Sequence, residues 1–289
     1  MVSFSPCIDI IPIAGRDDYP IRCKQDNNHK DFVSAYFSNI TCFGPNAKSH
    51  LFSQECVADL HVLVENHVPA DQFSVFKAAY ARHGMRTFNN PARVSTTSDM
   101  GTYGGESISA SNHLNISAVP QYILDTIASN TGMPCNIMGS VLKLRHTSVL
   151  IVAVYFISGS PNNYNILKQV KYLREIYKLP FIAVGDWNMT DNELRQSCWI
   201  EELMLDAVII APQDTLSTLK NKADRRIDYI VITRSIRALI QNLKTDTETP
   251  WLHFGLFFDI YAQPRSNNIV SLIRPKVLPV DVALDKLRL

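Results

Sequence analysis

Short apolar runs recur along this 289-residue chain, each closed by polar or turn-forming residues. Val33–Thr41 (VSAYFSNIT) reads as a strand, and Leu60–Glu65 (LHVLVE) is apolar enough for a strand buried on both faces. Between them, Gly44-Pro45-Asn46 opens helical spacing from Ala47 to Ala58, and Val68-Pro69 leads into a second helix containing Phe73, Phe76 and Ala79. Residues 84–103, rich in Asn, Ser and Thr, read as a long loop. Gly104-Gly105 precedes an alternating strand, Ser107–Ser111, and Asn136–His146 and Ser148–Ile157 read as two further strands. Helical spacing returns over Asn162–Lys178, through Ile166, Val170, Leu173 and Ile176, until Pro180 stops it. Phe181–Gly185 is a buried strand, and Thr190 with Glu193 three residues on predicts a capped helix. Leu205–Ile210, Thr215–Leu219 and Ile227–Thr233 are later strand candidates, Ile236–Leu243 is a short helix or strand, and His253–Ala262 is the last apolar run.

Many strands with a few interspersed helices predict two sheets packed face to face with helices outside. The predicted organisation is a leader over residues 1–32, one domain over 33–264, and a Pro-containing arm or linker over 265–289. Composition agrees with a sizeable core: 46% of residues are hydrophobic and 19% charged. The net charge of +1 is low for a sequence-blind DNA binder, so any nucleic-acid contact must come from a local patch. The six cysteines, Cys7, Cys23, Cys42, Cys56, Cys135 and Cys198, are scattered, without the spacing of a zinc site or a dense disulfide framework. Reduced thiols, no signal-peptide pattern and no apolar run near ~20 residues point to an intracellular setting, the nucleus included, with no membrane partner.

Four segments share one layout, a buried strand with polar residues at its end: Asn39 after AYFS, Glu65 after HVLV, Asp186 and Asn188 after IAVG, and Asp228 before YIVIT. A strand end puts a carboxylate at the rim of a sheet, and several together make a polar pocket on a rigid base. Each residue alone also fits a plainer role. Glu65 suits a solvated loop, Asn39 a turn, Asp186-Trp187-Asn188 a turn before the Thr190 helix, and Asp228 an ion pair with Arg225 or Arg226. Tyr155 and His253 equally suit a core. His61 and His67 lie near Glu65 but read as strand and loop residues rather than ligands. The basic run Lys220–Arg226 divides between a solvated loop and a phosphate contact.

Taken in order, these segments resemble the endonuclease/exonuclease/phosphatase superfamily, most closely the endonuclease domains of non-long-terminal-repeat retroelements. The residues that carry the resemblance are Phe37–Thr41 (FSNIT), Asp59–His67 (DLHVLVENH), Gly104-Gly105, the strand Val152–Tyr155, Gly185–Asn188 (GDWN) and Arg226–Ile230 (RIDYI). The resemblance implies a DNase I-like α/β (α+β) fold, a four-layer sandwich of two packed β-sheets flanked by helices. It implies a hydrolase that cuts a phosphodiester of DNA, or of RNA, by metal-assisted attack of water, using Mg²⁺ or Mn²⁺. Glu65 would hold the metal with support from Asn39. Asp186 would orient or deprotonate the water, Asn188 and Tyr155 would contact the phosphate, and Asp228 would complete the polar ring. His253 would bind phosphate. The superfamily also includes phosphatases, and fold alone does not choose the substrate.

One position departs from the pattern. Where the family has Ser-Asp-His, this chain has Trp251-Leu252-His253. The expectation is that Leu252 removes the carboxylate that orients His253, a loss that costs on the order of 10⁴ in rate in serine proteases. Asp246 and Glu248 stand close enough upstream to fold back in its place, whereas Asp259 lies too far along the strand. A nucleic-acid-binding or scaffold module that has lost turnover is therefore the rival reading.

Overall fold

The computed structural model describes residues 31–95, 101–204 and 206–264. The expected leader and arm lie almost wholly outside the described residues. Strands and helices alternate in the order β1 Val33–Asn39, α1 Pro45–Leu51, β2 Leu60–Val64, α2 Phe73–Ala81, β3 Met85–Asn90, β4 Arg93–Val94, β5 Thr102–Tyr103, β6 Glu106–Ser111, β7 Ile116–Ala118, α3 Gln121–Thr131, β8 Ile137–Lys143, β9 Ser148–Tyr155, α4 Asn163–Tyr177, β10 Phe181–Asp186, α5 Asp191–Gln196, α6 Trp199–Leu203, β11 Ala207–Ile210, β12 Asp228–Thr233, β13 Ile240–Asp246 and β14 Gly255–Ile260. The strands form two six-stranded sheets, β13-β14-β1-β2-β6-β3 and β11-β12-β10-β9-β8-β7, beside the small β4–β5 ladder. Within them β1 and β2 are parallel, as are β9 and β10.

The sheets pack face to face, with β1 on β10, β2 on β9 and β6 on β8. Alternation decides what each strand contributes. Val33, Ala35 and Phe37 of β1 join the core between the sheets, while Tyr36 turns outward to a second cluster with Leu51 of α1 and Phe76 and Tyr80 of α2. On the far face, α4 covers β8 and β9 through Ile166, Val170 and Leu173. Ile176 falls off that face and is half-exposed. The result is the expected four-layer α/β sandwich. No helix among the described residues is long and apolar enough to cross a membrane.

Several local expectations need correction. The stretch 84–103 is not simply a loop: Met85–Asn90 is an edge strand on β6, its buried Asn89 accepting from Asn66 and its Asn90 donating to Glu106. Polar side chains hid a strand whose ladder comes from its neighbour. The α1 helix ends at Leu51, seven residues short of Ala58. Thr215–Leu219 is no strand, apart from one bridge between Leu219 and His253. Ile236–Leu243 splits into a 3₁₀ turn, Arg234–Leu239, and the start of β13. The Thr190–Glu193 pair does form a reciprocal capping box at α5.

Gly185 shows how tightly β9 and β10 approach. A Cβ there would stand 2.2 Å from the Val154 carbonyl oxygen, and backbone cannot yield as a flexible side chain can. Gly185→Ala should therefore cost roughly 2 kcal/mol or more of unfolding free energy in urea titration. An unchanged midpoint would contradict this packing.

Candidate active site

Strand register builds the site. Asp186 pairs with Tyr155 on one side and with Asp228 on the other, so three neighbouring strand ends of one sheet carry polar side chains in one row. Asp186 has the parity of Ile182 and Val184, which face the core, and so its carboxylate points between the sheets. In the opposite sheet Asn39 has the parity of Val33, Ala35 and Phe37, and it pairs with Val64, the residue before Glu65. The two parallel pairs end at the same rim, where β1 packs on β10.

There the expected residues meet. The Asn39 amide donates from Nδ2 to Glu65 Oε2 and to Asp186 Oδ2, both at 2.9 Å, while its carbonyl oxygen accepts from the Thr41 amide at 3.0 Å. Asn39 thus holds two carboxylates together. Asn188 donates its backbone N–H to Asp186 Oδ1 at 2.9 Å, and its side-chain amide to the Phe156 carbonyl at 2.7 Å and to Asp186 Oδ2 at 3.2 Å. Its hydrogen bonds orient Asp186, and contact with a phosphate would require exchanging one of them. Glu65 (φ 50°) and Asn188 (φ 46°) both sit in the left-handed region. For Glu65 that costs roughly 1–2 kcal/mol, strain held at the rim where these residues meet. The Tyr155 hydroxyl lies against Glu65.

The expectation that Leu252 leaves His253 unoriented is overturned. His253 Nδ1–H donates to Asp228 Oδ2 at 3.1 Å, which leaves Nε2 facing Asp186 Oδ2 at 3.8 Å. Asp228 is fully buried and is itself fixed by Thr218, whose hydroxyl oxygen accepts from the Ile227 and Asp228 amides at 3.0 and 3.1 Å. Leu252 is 47% exposed. Asp246 does not fold back: its carboxylate accepts from Tyr36 Oη and His50 Nε2. Asp259 accepts from Asn242. Nor does Asp228 make a surface ion pair, because Arg226 forks onto Asp191 and the Pro212 carbonyl.

The remaining candidates fall outside the pocket. His61 occupies the outer face of β2 against Tyr80, and burial lowers its pKa to about 4. The His67 ring lies beside the Thr102 hydroxyl. Gly104 and Gly105 have φ of +71° and +92° and accept backbone bonds from His67 and Asn66. They serve backbone geometry, since a Cβ on Gly105 would meet Asn66 Oδ1 at 2.4 Å. In the basic run, Lys220 is tied to the Thr249 carbonyl and Arg226 to Asp191.

Burial pushes the Asp186 carboxyl up to about 7, with the Asp228 charge adding to it; His253, Asn39 and the Asn188 backbone pull it back. For His253, burial alone would lower the imidazole. The Asp228 carboxylate overrides this and raises it to about 9, with Asp186 and Glu65 assisting. His253 is therefore an imidazolium at neutral pH, with Nδ1–H engaged and Nε2–H directed at the pocket. Burial, then Glu65, hold the Tyr155 hydroxyl well above the usual range, so it remains a donor.

The donor set suits a hard divalent cation. Oxygens of Glu65 and Asp186 share one amide nitrogen, and oxygen ligands at close range are what Mg²⁺ or Mn²⁺ requires. Ligand atoms of Asp186, Asp228 and His253 also lie within 4.8 Å of one another. Asp228 and His253 already satisfy each other, so the Glu65–Asp186 side is the better seat.

Sequence reasoning missed a neighbouring polar group. Glu106, fully buried, accepts from Asn90 Nδ2 at 2.7 Å, and Arg93 donates to Asn136 Oδ1 at 2.8 Å. A charged residue directly after Gly104-Gly105, at an inward-facing strand position, was the available signal. Thr218 was also missed, and its sequence context carries none.

Two measurements test these electrostatics. Asp228→Asn should bring the His253 imidazole from about 9 to near or below its ordinary 6.5 in an NMR pH titration, because burial would then act unopposed. Burial pushes the Glu106 carboxyl up to about 7, so it weakens the fold as pH rises from its unfolded value near 4.5 through 7. Glu106→Gln should accordingly stabilise the protein at pH 8 by on the order of 2–3 kcal/mol in urea, with the gain vanishing below pH 4.5.

No protein-family model and no curated protein sequence matches this chain. Solved structures do. The endonuclease domain of TRAS1, a telomere-specific non-LTR retrotransposon, superposes with a TM-score of 0.59 at 18% identity, over 80% of this chain and 99% of that one. The AP endonuclease LMAP from Leishmania major gives 0.57 at 12% identity, over 79% and 87%. The 3′ phosphatase NExo from Neisseria, in a point-mutant form bound to product DNA hairpin, gives 0.54 at 14% identity, over 79% and 99%. At such identities the likeness establishes architecture, and the architecture of this chain is the DNase I-like fold of the endonuclease/exonuclease/phosphatase proteins.

Proposed function

We propose that this chain is a divalent-metal-dependent phosphodiesterase, and specifically a DNA endonuclease of retroelement type. The observation that carries the reading is the convergence of Asn39, Glu65, Asp186, Asn188, Asp228 and His253 on one pocket between the two sheets. A cation held by Glu65, with Asn39 in support, would polarise the phosphate and lower the pKa of attacking water. The chain's own residues supply the rest. Asp186, held by Asn39 and Asn188, accepts the proton of the attacking water. His253 presents Nε2–H to a phosphate oxygen as negative charge builds there, with Asp228 keeping the ring turned and charged. Tyr155 Oη offers a second hydrogen bond, and Asn39 fixes the spacing of the two carboxylates.

Substrate choice rests on different support. A retrotransposon endonuclease, an AP endonuclease and a DNA-bound 3′ phosphatase share the fold, which favours DNA. RNA is the nearest alternative within the same chemistry. The rival reading, a binding module without turnover, loses its main argument once Asp228 rather than residue 252 orients His253.

In a plasmid-nicking assay, wild-type protein should cut with Mg²⁺ or Mn²⁺ and stop with EDTA, and Asp186→Ala should lower the rate at least 10³-fold. DNA binding without nicking at any metal concentration would favour the module instead. Leu252→Asp should change the rate less than tenfold. A gain of several hundred-fold would show that position 252 limits the site after all.

A further inference from the structure

We propose that Arg93 forms a second anion subsite, which receives the phosphate adjoining the one cut, on the Tyr155 side of the pocket. The proposal rests on the nuclease reading above and deepens it. The polar band at the rim does not stop at Glu65 and Tyr155. In one sheet β6 follows β2 and β3 follows β6, bringing Glu106 and Asn90; in the other β8 follows β9, and Asn136 stands at its start. At about 4.8 Å per strand, Asn136 lies one strand beyond Tyr155 and two beyond Asp186, roughly 10 Å from it. Arg93 is tethered at that end.

Its setting is unusual for an arginine. Nη2 donates to Asn136 Oδ1 at 2.8 Å, the guanidinium lies 5.0 Å over the Tyr103 ring, and Asn136 Nδ2 in turn reaches the Tyr155 carbonyl at 3.4 Å. The side chain is thus fixed to the strand that carries Tyr155. Yet among the described residues Nε–H, though buried, has no partner. Glu106 sits behind it, 0% exposed, with Oε1 also unpartnered. Both groups flank Gly104: a Cβ there would stand 3.3 Å from Arg93 Nη2 and 3.6 Å from Glu106 Oε1. A buried carboxylate lacking half its hydrogen bonds weakens a fold. Here that carboxylate balances the Arg93 guanidinium beside it, leaving the arginine positioned for a use outside the fold. A planar guanidinium held at a rim, in a chain of net charge only +1, is the local cation a phosphate-backbone substrate needs.

The test is binding of a short DNA duplex in EDTA, where no cutting occurs, followed by fluorescence anisotropy between 50 and 200 mM KCl. Arg93→Met retains the stem over Tyr103 and removes the charge. It should make the plot of log affinity against log salt shallower by about 0.9, the contribution of one duplex phosphate, and Arg93→Lys should restore the slope. A scan of single methylphosphonates through a duplex with a mapped cut should find two sensitive positions in wild type, the cut phosphate and one neighbour; in Arg93→Met the neighbour should become insensitive. That scan on wild type also serves if the variant fails to fold, and sensitivity at the cut phosphate alone would overturn the subsite. So would an unchanged slope in Arg93→Met. If wild type nicks DNA in Mg²⁺ while either result holds, the nuclease reading survives and only the subsite falls. If wild type neither binds nor nicks, both fall.

Discussion

Two carboxylates lie side by side in the interior of this protein, and much of the surrounding structure exists to make that tolerable. Asp186 and Asp228 are register partners on neighbouring strands, 1% and 0% exposed. Left alone they would repel each other and resist desolvation, and one would take a proton. The fold answers with His253 between them and with the Asn39 and Asn188 amides on Asp186, while the Thr218 hydroxyl accepts from the Ile227 and Asp228 amides and so holds the backbone that carries Asp228. The compensation leaves a carboxylate raised by burial beside an imidazolium that stays charged.

The same logic explains why the two strongest sequence segments are locked together. Trp187, from GDWN, donates its indole N–H to the Tyr229 carbonyl and stacks on the Tyr229 ring at 5.5 Å; Tyr229 belongs to RIDYI. The Trp187 amide bonds to Ile227 O, and Arg226 clamps Asp191 just beyond the first segment. The loop that bears His253 is fastened in turn, by Trp251 to Ser38 and by Lys220 to Thr249. Aromatic packing and backbone bonds hold the titrating groups in place, so the geometry does not depend on the charges that strain it.

The pocket is one part of a longer polar rim, running from His253 past Asp186 and Glu65 towards Glu106 and Arg93. The pocket forms where both sheets contribute a parallel strand end, and the flanks of the rim are built from short ladders and loops carried by the sandwich.

Periodicity and punctuation made the main elements legible: the buried strands β1, β2 and β10, the α4 helix, the Thr190 cap and the polar residues at strand ends all follow from local pattern. So do Asn39, Glu65, Asp186, Asn188 and Asp228, because a polar residue closing an apolar strand is visible in one dimension, whereas Tyr155 and His253 were picked out only by the family resemblance. Local pattern could not show β3, whose Asn89 and Asn90 side chains find Asn66 and Glu106 only in the folded chain, nor α3, which buries little beyond Leu124 and Ile127. Above all it could not show the partner of His253. The residue beside it in sequence is Leu252, but its carboxylate comes from Asp228, 25 positions away. Sequence determines which groups stand at which strand ends; only the packing of two sheets decides which of them touch, because hydrogen bonds and charge act through space and a strand's neighbours are set by its register.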